Sequence, residues 1–257
     1  LFLWDRLTKF TNKHRRFSDA PWALSDELIT RIEDVAEKIA PTNPFNLYQH
    51  LFTHSDYELY DKNSDWEEQR KRLDVRREAA IREIFQQNGV EGVIRFAECV
   101  VSPEQVGQAL GMIADEVIEK AFLPHFLDTE NNKHENLAGG FIWMRHHING
   151  WEWCDNIDKS GWTPKQIGYF LAFLPFTKEA WDRASQWLEE NQGEYWSHTR
   201  ANAYQADGDL AIAIEKLIEH GRPHSAINCL DRMRYAKQPI NAEQCVRALI
   251  SALSSNE

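Results

Sequence analysis

No apolar run in this chain approaches the roughly 20 residues that a membrane-spanning helix needs. The richest stretch, residues 169–176, is short and broken by Pro175. No segment reads as a credible strand: the one apolar stretch that resembles it, residues 90–101, places Val90, Val93, Ile94, Ala97, Val100 and Val101 at helical spacing. There is no CxxC pair. Cys99, Cys154, Cys229 and Cys245 lie far apart, which argues against a four-cysteine metal site and for reduced thiols buried in half-apolar helices. Neither phosphate-cradling loop, GxxxxGK[ST] or GxGxxG, occurs, and neither does the GxSxG elbow of a serine nucleophile. Basic charge is outnumbered as well. With 29 Lys and Arg against 40 Asp and Glu, the net charge is −11, the wrong sign for a main role on phosphate backbones. The start lacks the apolar core and cleavage site of a secretory signal; with the cysteines read as reduced thiols, the expected location is the cytoplasm. It also lacks an initiator Met and opens in what reads as mid-helix, as a fragment of a longer protein would.

What the chain does have is helical periodicity, punctuated by Pro and Gly. Hydrophobic residues make up 42% of 257 positions, enough for a sizeable core. An amphipathic segment spans residues 3–10, and the basic cluster Lys13, His14, Arg15, Arg16 reads as a loop. Leu28, Ile32, Val35 and Ile39 form the apolar stripe of a helix begun at Ser25. Asn63 or Ser64 can cap a long charged helix over residues 65–87, supported by the i,i+4 pairs Glu67/Lys71 and Glu68/Arg72. Its basic residues Arg70, Lys71, Arg72, Arg76 and Arg77 are interleaved with acids, so they read as a solvated face rather than a nucleic-acid patch. Ser102-Pro103, Thr163-Pro164 and Asn241 mark helix starts, Asp209 another, and Gly221 a stop. Residues 137–148 read as a helix weakened by Gly139-Gly140, residues 151–157 as a short one, and residues 194–204 as a further helical piece. The most polar stretch, residues 128–136, is a loop or boundary between a helical subdomain at 1–127 and another at 137–257, unless the two are continuous. Short connections force antiparallel neighbours. The expected fold is all-α: an array of about a dozen helices in hairpins, either a right-handed solenoid-like superhelix or an irregular bundle.

Residues 209–230 (DLAIAIEKLIEHGRPHSAINCL) resemble the helix-turn-helix units of tetratricopeptide-like repeats. Ala211, Ala213 and Ala226 allow close packing, and a Gly-x-Pro turn joins the helices. With residues 174–196 (LPFTKEAWDRASQWLEENQGEYW), this region is also similar to the helical C-terminal regions of large bacterial multidomain proteins. The full tetratricopeptide signature is not met, and the likeness covers only the last third of the chain. It implies a recognition or scaffold arm and no catalytic residues.

Two clusters are candidates for function. His134, Glu135, His146 and His147 supply imidazoles and a carboxylate for a divalent metal in a hydrolase. Their spacing is poor: position 138 is Ala138 where the zinc-protease motif needs His, and adjacent histidines diverge by about 100° on a helix. The second cluster is tryptophan-rich. Seven of ten Trp lie between Trp143 and Trp196. Core packing accounts for most, and Trp151 and Trp153, with Arg145, are the candidates for a ligand-facing groove. The function expected is therefore non-catalytic recognition of a protein partner or ligand. The partner is a protein, or upstream domains of the same polypeptide, with no cofactor, nucleic acid or membrane. The alternative is the metal-dependent hydrolase.

Overall fold

The computed structural model describes residues 2–60, 65–206 and 210–255. Among them are thirteen α-helices, a few single turns of 3-10 helix and no strand, so the chain is all-α. None of these helices is long and apolar enough to cross a membrane. Two compact units form, Leu1–Phe122 with Asn131–Arg145, and Leu123–Glu130 with His146–Glu257.

The first unit opens with α1 (Phe2–Arg16) and α2 (Asp26–Lys38). The basic residues 13–16, expected in a loop, form the last turn of α1, where the helix dipole favours positive charge. Arg15 holds α2 through Glu33 at 2.8 Å and Asp26 at 3.0 Å. The expected stripe of α2 is largely turned outward. Leu28, Val35 and Ile39 are exposed, while Ile29 and Ala36 are buried. The reason is that α2 packs mainly on α1, which covers only a narrow strip of it.

After the short α3 (Pro44–Tyr48) comes α4 (Trp66–Cys99). Its cap is Asp65, whose carboxylate accepts from the Glu67 N–H at 3.0 Å. The predicted caps Asn63 and Ser64 lie outside the described residues. The buried line of α4 is Gln69, Leu73, Arg77, Ile81 and Ile84. Arg77, expected on a solvated face, is thus a core residue. Its Nε donates to the Leu51 carbonyl at 2.9 Å, and its guanidinium meets Asp56 at 2.6 Å. Gly89, with φ 64° and ψ −165°, kinks α4. Only glycine adopts that conformation readily, so the expected break between residues 87 and 90 is real. At the far end, Lys133 donates to the carbonyls of Glu98 and Val100, groups a helix end leaves open.

Next follow α5 (Pro103–Ile113), α6 (Glu116–Phe122) and α7 (Asn132–Asn156). α7 begins inside the polar stretch read as a loop, because Asn131 accepts from the Lys133 N–H at 2.9 Å and starts the helix there. Gly139-Gly140 is no weak point. A Cβ on Gly140 would lie 2.0 Å from the Glu104 carbonyl oxygen, and one on Gly107 would lie 2.0 Å from that of Leu137. The backbones of α5 and α7 touch where these glycines sit. Phe122 and Phe141 pack beside this crossing, ring centroids 4.7 Å apart. Gly150 kinks α7 with nearly the torsions of Gly89, φ 64° and ψ −161°.

In the second unit, α8 (Pro164–Ala172) starts with a capping box in which Thr163 and Gln166 bond to each other's backbone. It packs on α9 (Lys178–Leu188) and α10 (Gly193–Trp196). The helix expected over 194–204 stops at Trp196. Arg222 donates to the carbonyls of Ser197 at 3.0 Å and Thr199 at 3.3 Å, acceptors that a continuing helix would use itself. Phe176, Trp181 and Trp196 form an aromatic core, with Trp181 and Phe176 edge to face at 5.0 Å. Then α11 (Leu210–Glu219) and α12 (Pro223–Tyr235) pack closely across the turn at Gly221, and α13 (Ala242–Ala252) packs on both. Asn241 caps α13 by accepting from the N–H groups of Glu243 and Gln244. Asp209, the expected cap of α11, lies outside the described residues.

Two measurements follow from this packing. Gly140→Ala forces backbone apart and should cost about 2–3 kcal/mol in urea unfolding. Gly161→Ala, which meets nothing within 4 Å, should stay within about 0.5 kcal/mol of the parent. Arg77→Ala should cost about 3–5 kcal/mol by the same assay, since it leaves the Leu51 carbonyl without its donor and Asp56 without its cation.

Candidate functional site

Arg145, Trp151 and Trp153 are held mostly by packing. Arg145 donates from Nε to Glu119 of α6 at 2.7 Å and its side chain is 15% exposed. It also lies 3.5 Å from the Gly111 carbonyl at the end of α5, so it ties three helices of the first unit together. Trp153 is buried against Phe170, centroids 5.7 Å apart. Trp151, immediately after the Gly150 kink, is half-buried. Its ring stands edge to face with His146 at 4.7 Å, and the Arg183 guanidinium lies over it at 4.3 Å. Arg183 in turn makes a two-pronged pair with Asp155, both contacts 2.7 Å, which holds the Asp155 carboxyl below its usual range. This ladder covers one face of the indole. All seven tryptophans of the 143–196 region are buried or half-buried, and the exposed ones are Trp22 and Trp66.

The metal candidates are similarly occupied. His134 Nε2 lies 2.8 Å from Glu98. His146 packs edge to face with Trp151, and burial, aided by the Arg183 cation, pushes its pKa down. Glu135 is half-buried and His147 exposed. Among the described residues no three His, Cys, Asp or Glu side chains converge where a metal ion could sit. Of the basic residues of α4, Arg72 pairs with Glu68 at 2.5 Å and Arg82 with Glu78 at 2.7 Å, acids of the same helix. Of the cysteines, all free, Cys154 and Cys229 are buried and burial pushes both thiols up to about 12, but Cys99 is exposed.

Two other features are open. The first is α13, whose amphipathicity is inverted. Toward α11 it turns Gln244, which donates to the Ala211 carbonyl, and Arg247, which pairs with Glu215, and it buries only Ala248 fully. Outward it presents Val246 (54% exposed), Leu249 (53%), Ile250 (62%) and Leu253 (89%). These positions recur at i, i+3, i+4 and i+7, one continuous stripe on a helix.

The second is a cleft of about 540 Å³ in the first unit. The N-terminal half of α1 supplies one wall, with Trp4, Thr8 and the Asp5–Lys9 pair, which is 3.0 Å apart. The segment 49–59, pinned by Arg77, supplies Gln49, His50, Thr53 and Leu59, and the end of α4 supplies Cys99, Val100 and Val101. His50 packs edge to face with Trp4 at 5.2 Å. Burial, then the nearby Arg76 cation, lowers its pKa to about 4. The Leu47 carbonyl favours the protonated ring, yet among the described residues Nδ1 finds no hydrogen bond of good geometry. The cleft was missed in the sequence because its walls come from three separated segments. Apolar residues 100 and 101, placed just past a helix end, were the only local signal.

His50 generates a pH prediction. Its folded pKa, about 4, lies below the ordinary value of 6.5, so the unfolded chain binds the extra proton first. Its contribution to stability is complete above pH 6.5 and is lost as the pH falls toward 4. Thermal and urea unfolding at pH 7 and pH 4.5 should show roughly 2–3 kcal/mol less acid destabilisation in His50→Phe than in the parent. An unchanged difference would mean that the ring is not enclosed. Comparison of the chain with protein-family models, curated proteins and solved structures gives no match.

Proposed function

We propose that this chain is a non-catalytic recognition module whose partner is a protein, docked through an amphipathic helix laid along α13. The observation that carries this reading is the inverted helix: α13 spends its polar and small residues inward and leaves Val246, Leu249, Ile250 and Leu253 to solvent. Large aliphatic side chains in a stripe are the kind of surface that another helix covers by ridges into grooves. An exposed apolar stripe of this kind is a familiar mark of interaction.

The test is a double substitution, Val246→Glu with Ile250→Glu, in the chain isolated with its partners from its source cells after chemical crosslinking. Both sites are exposed, so the fold should hold, with a melting temperature close to that of the parent. Crosslinks from a helical segment of one partner should map to α13 in the parent and disappear in the variant. The same partners, crosslinked equally to both proteins, would show that recognition lies elsewhere.

A further inference from the structure

The geometry points to a small-molecule site in the first unit: the cleft between α1, the segment 49–59 and the end of α4 binds a neutral, ring-bearing organic molecule. It is independent of the α13 face. The volume, about 540 Å³, falls within the range of small-ligand sites, roughly 300–1,000 Å³. The floor is aromatic, since Trp4 and His50 meet edge to face there, and a flat ring packs best against such groups. Leu59, Val100 and Val101 extend the apolar wall, while Thr8, Gln49 and Thr53 offer uncharged hydrogen-bonding groups.

Charge narrows the class. Among the described residues the lining contains, beside His50, which burial keeps neutral at pH 7, one acid and one base, Asp5 and Lys9, paired at 3.0 Å. An ionised ligand would lose hydration on entry without gaining an uncommitted counter-charge from the lining. A neutral ring with one or two hydrogen-bonding atoms loses little and gains the aromatic contacts. The wall that completes the cleft is also held firmly. Arg77 fixes the Leu51 carbonyl and Asp56, and Gln105 donates to the same Asp56 carboxylate at 3.1 Å. A concavity built on a buried ion pair is preformed and need not be ordered by its ligand.

The probe is Nile red, a neutral fused-ring dye, titrated into the full chain and followed by its fluorescence. Saturation at one dye per chain is expected. Val101→Trp at the rim and Thr8→Trp on α1 each put a ring into the space and should weaken binding by about tenfold or more. Leu249→Glu with Leu253→Glu on α13 should change it by less than about twofold. In competition, 2-naphthol should displace the dye, and 2-naphthoate, which has the same ring with a carboxylate, should need about tenfold more. A readout that needs no variant is alkylation by iodoacetamide. Cys99 lines the cleft and is exposed, so saturating dye should slow its modification, while half-exposed Cys245, outside the cleft, should react at an unchanged rate. No saturable binding, binding lost with the α13 pair instead of the cleft variants, or no protection of Cys99 would each overturn the site. Equal competition by the carboxylate would overturn the ligand class.

Discussion

A guanidinium withdrawn from water must find acceptors, and Arg77 finds them in a segment with little regular structure of its own. Among the described residues between α3 and α4 the regular structure is two brief 3-10 turns, so their path is not set by ladder hydrogen bonds. It is set by a cation on the buried line of α4, which takes a backbone carbonyl and a carboxylate from that segment. Phe52 and Leu51, both buried, follow from the same attachment, with Phe52 packed against Phe96 at 5.2 Å. Without this attachment, α4 would have a polar gap in its core face and the cleft would lack one wall. A buried ion pair does not guarantee net stability, but here it decides which conformation an otherwise unguided segment adopts.

Glycine organises the rest at two levels. Gly89 and Gly150 carry nearly the same torsions and interrupt the two longest helices. Gly107 and Gly140 work through size, letting the α5 and α7 backbones touch. Close backbone approach leaves no room for intervening side chains, so the large ones beside it, such as Phe122, Phe141 and Leu137, are forced into one well-packed cluster.

Helix positions were legible in the sequence because caps and breakers act over three or four residues. Ser102-Pro103, Thr163-Pro164 and Asn241 begin helices where expected, and the breaks at Gly89 and Gly150 fall between segments read as separate. What was not legible depends on distant partners. The helix expected over 194–204 loses its carbonyls to Arg222, more than twenty residues away. The stripe of α2 is exposed because only one neighbour covers it. Arg77 was readable in principle: Gln69, Leu73, Arg77 and Ile81 recur every four residues, in register with the core. Its neighbours Arg70, Lys71, Arg72 and Arg76 disguised it as one more surface charge. Arg145, Trp151 and Trp153 stand out in the sequence by residue type, and type alone does not reveal that Glu119, Arg183 and Phe170 already occupy them. The cleft was least legible of all, because no local pattern links α1, residues 49–59 and residues 99–101.

The distribution of tryptophan between the units has an optical consequence. Trp4, Trp22, Trp66 and Trp143 belong to the first unit, and the solvated indoles of Trp22 and Trp66 emit at long wavelength. Trp151, Trp153, Trp162, Trp181, Trp187 and Trp196 belong to the second, all of them wholly or partly withdrawn from water. The blue edge of the intrinsic emission therefore reports mainly on the second unit, with no label attached. If the two halves of the chain melt in separate steps, colour and helical signal will part company. A single transition seen by both would mark them as one cooperative body.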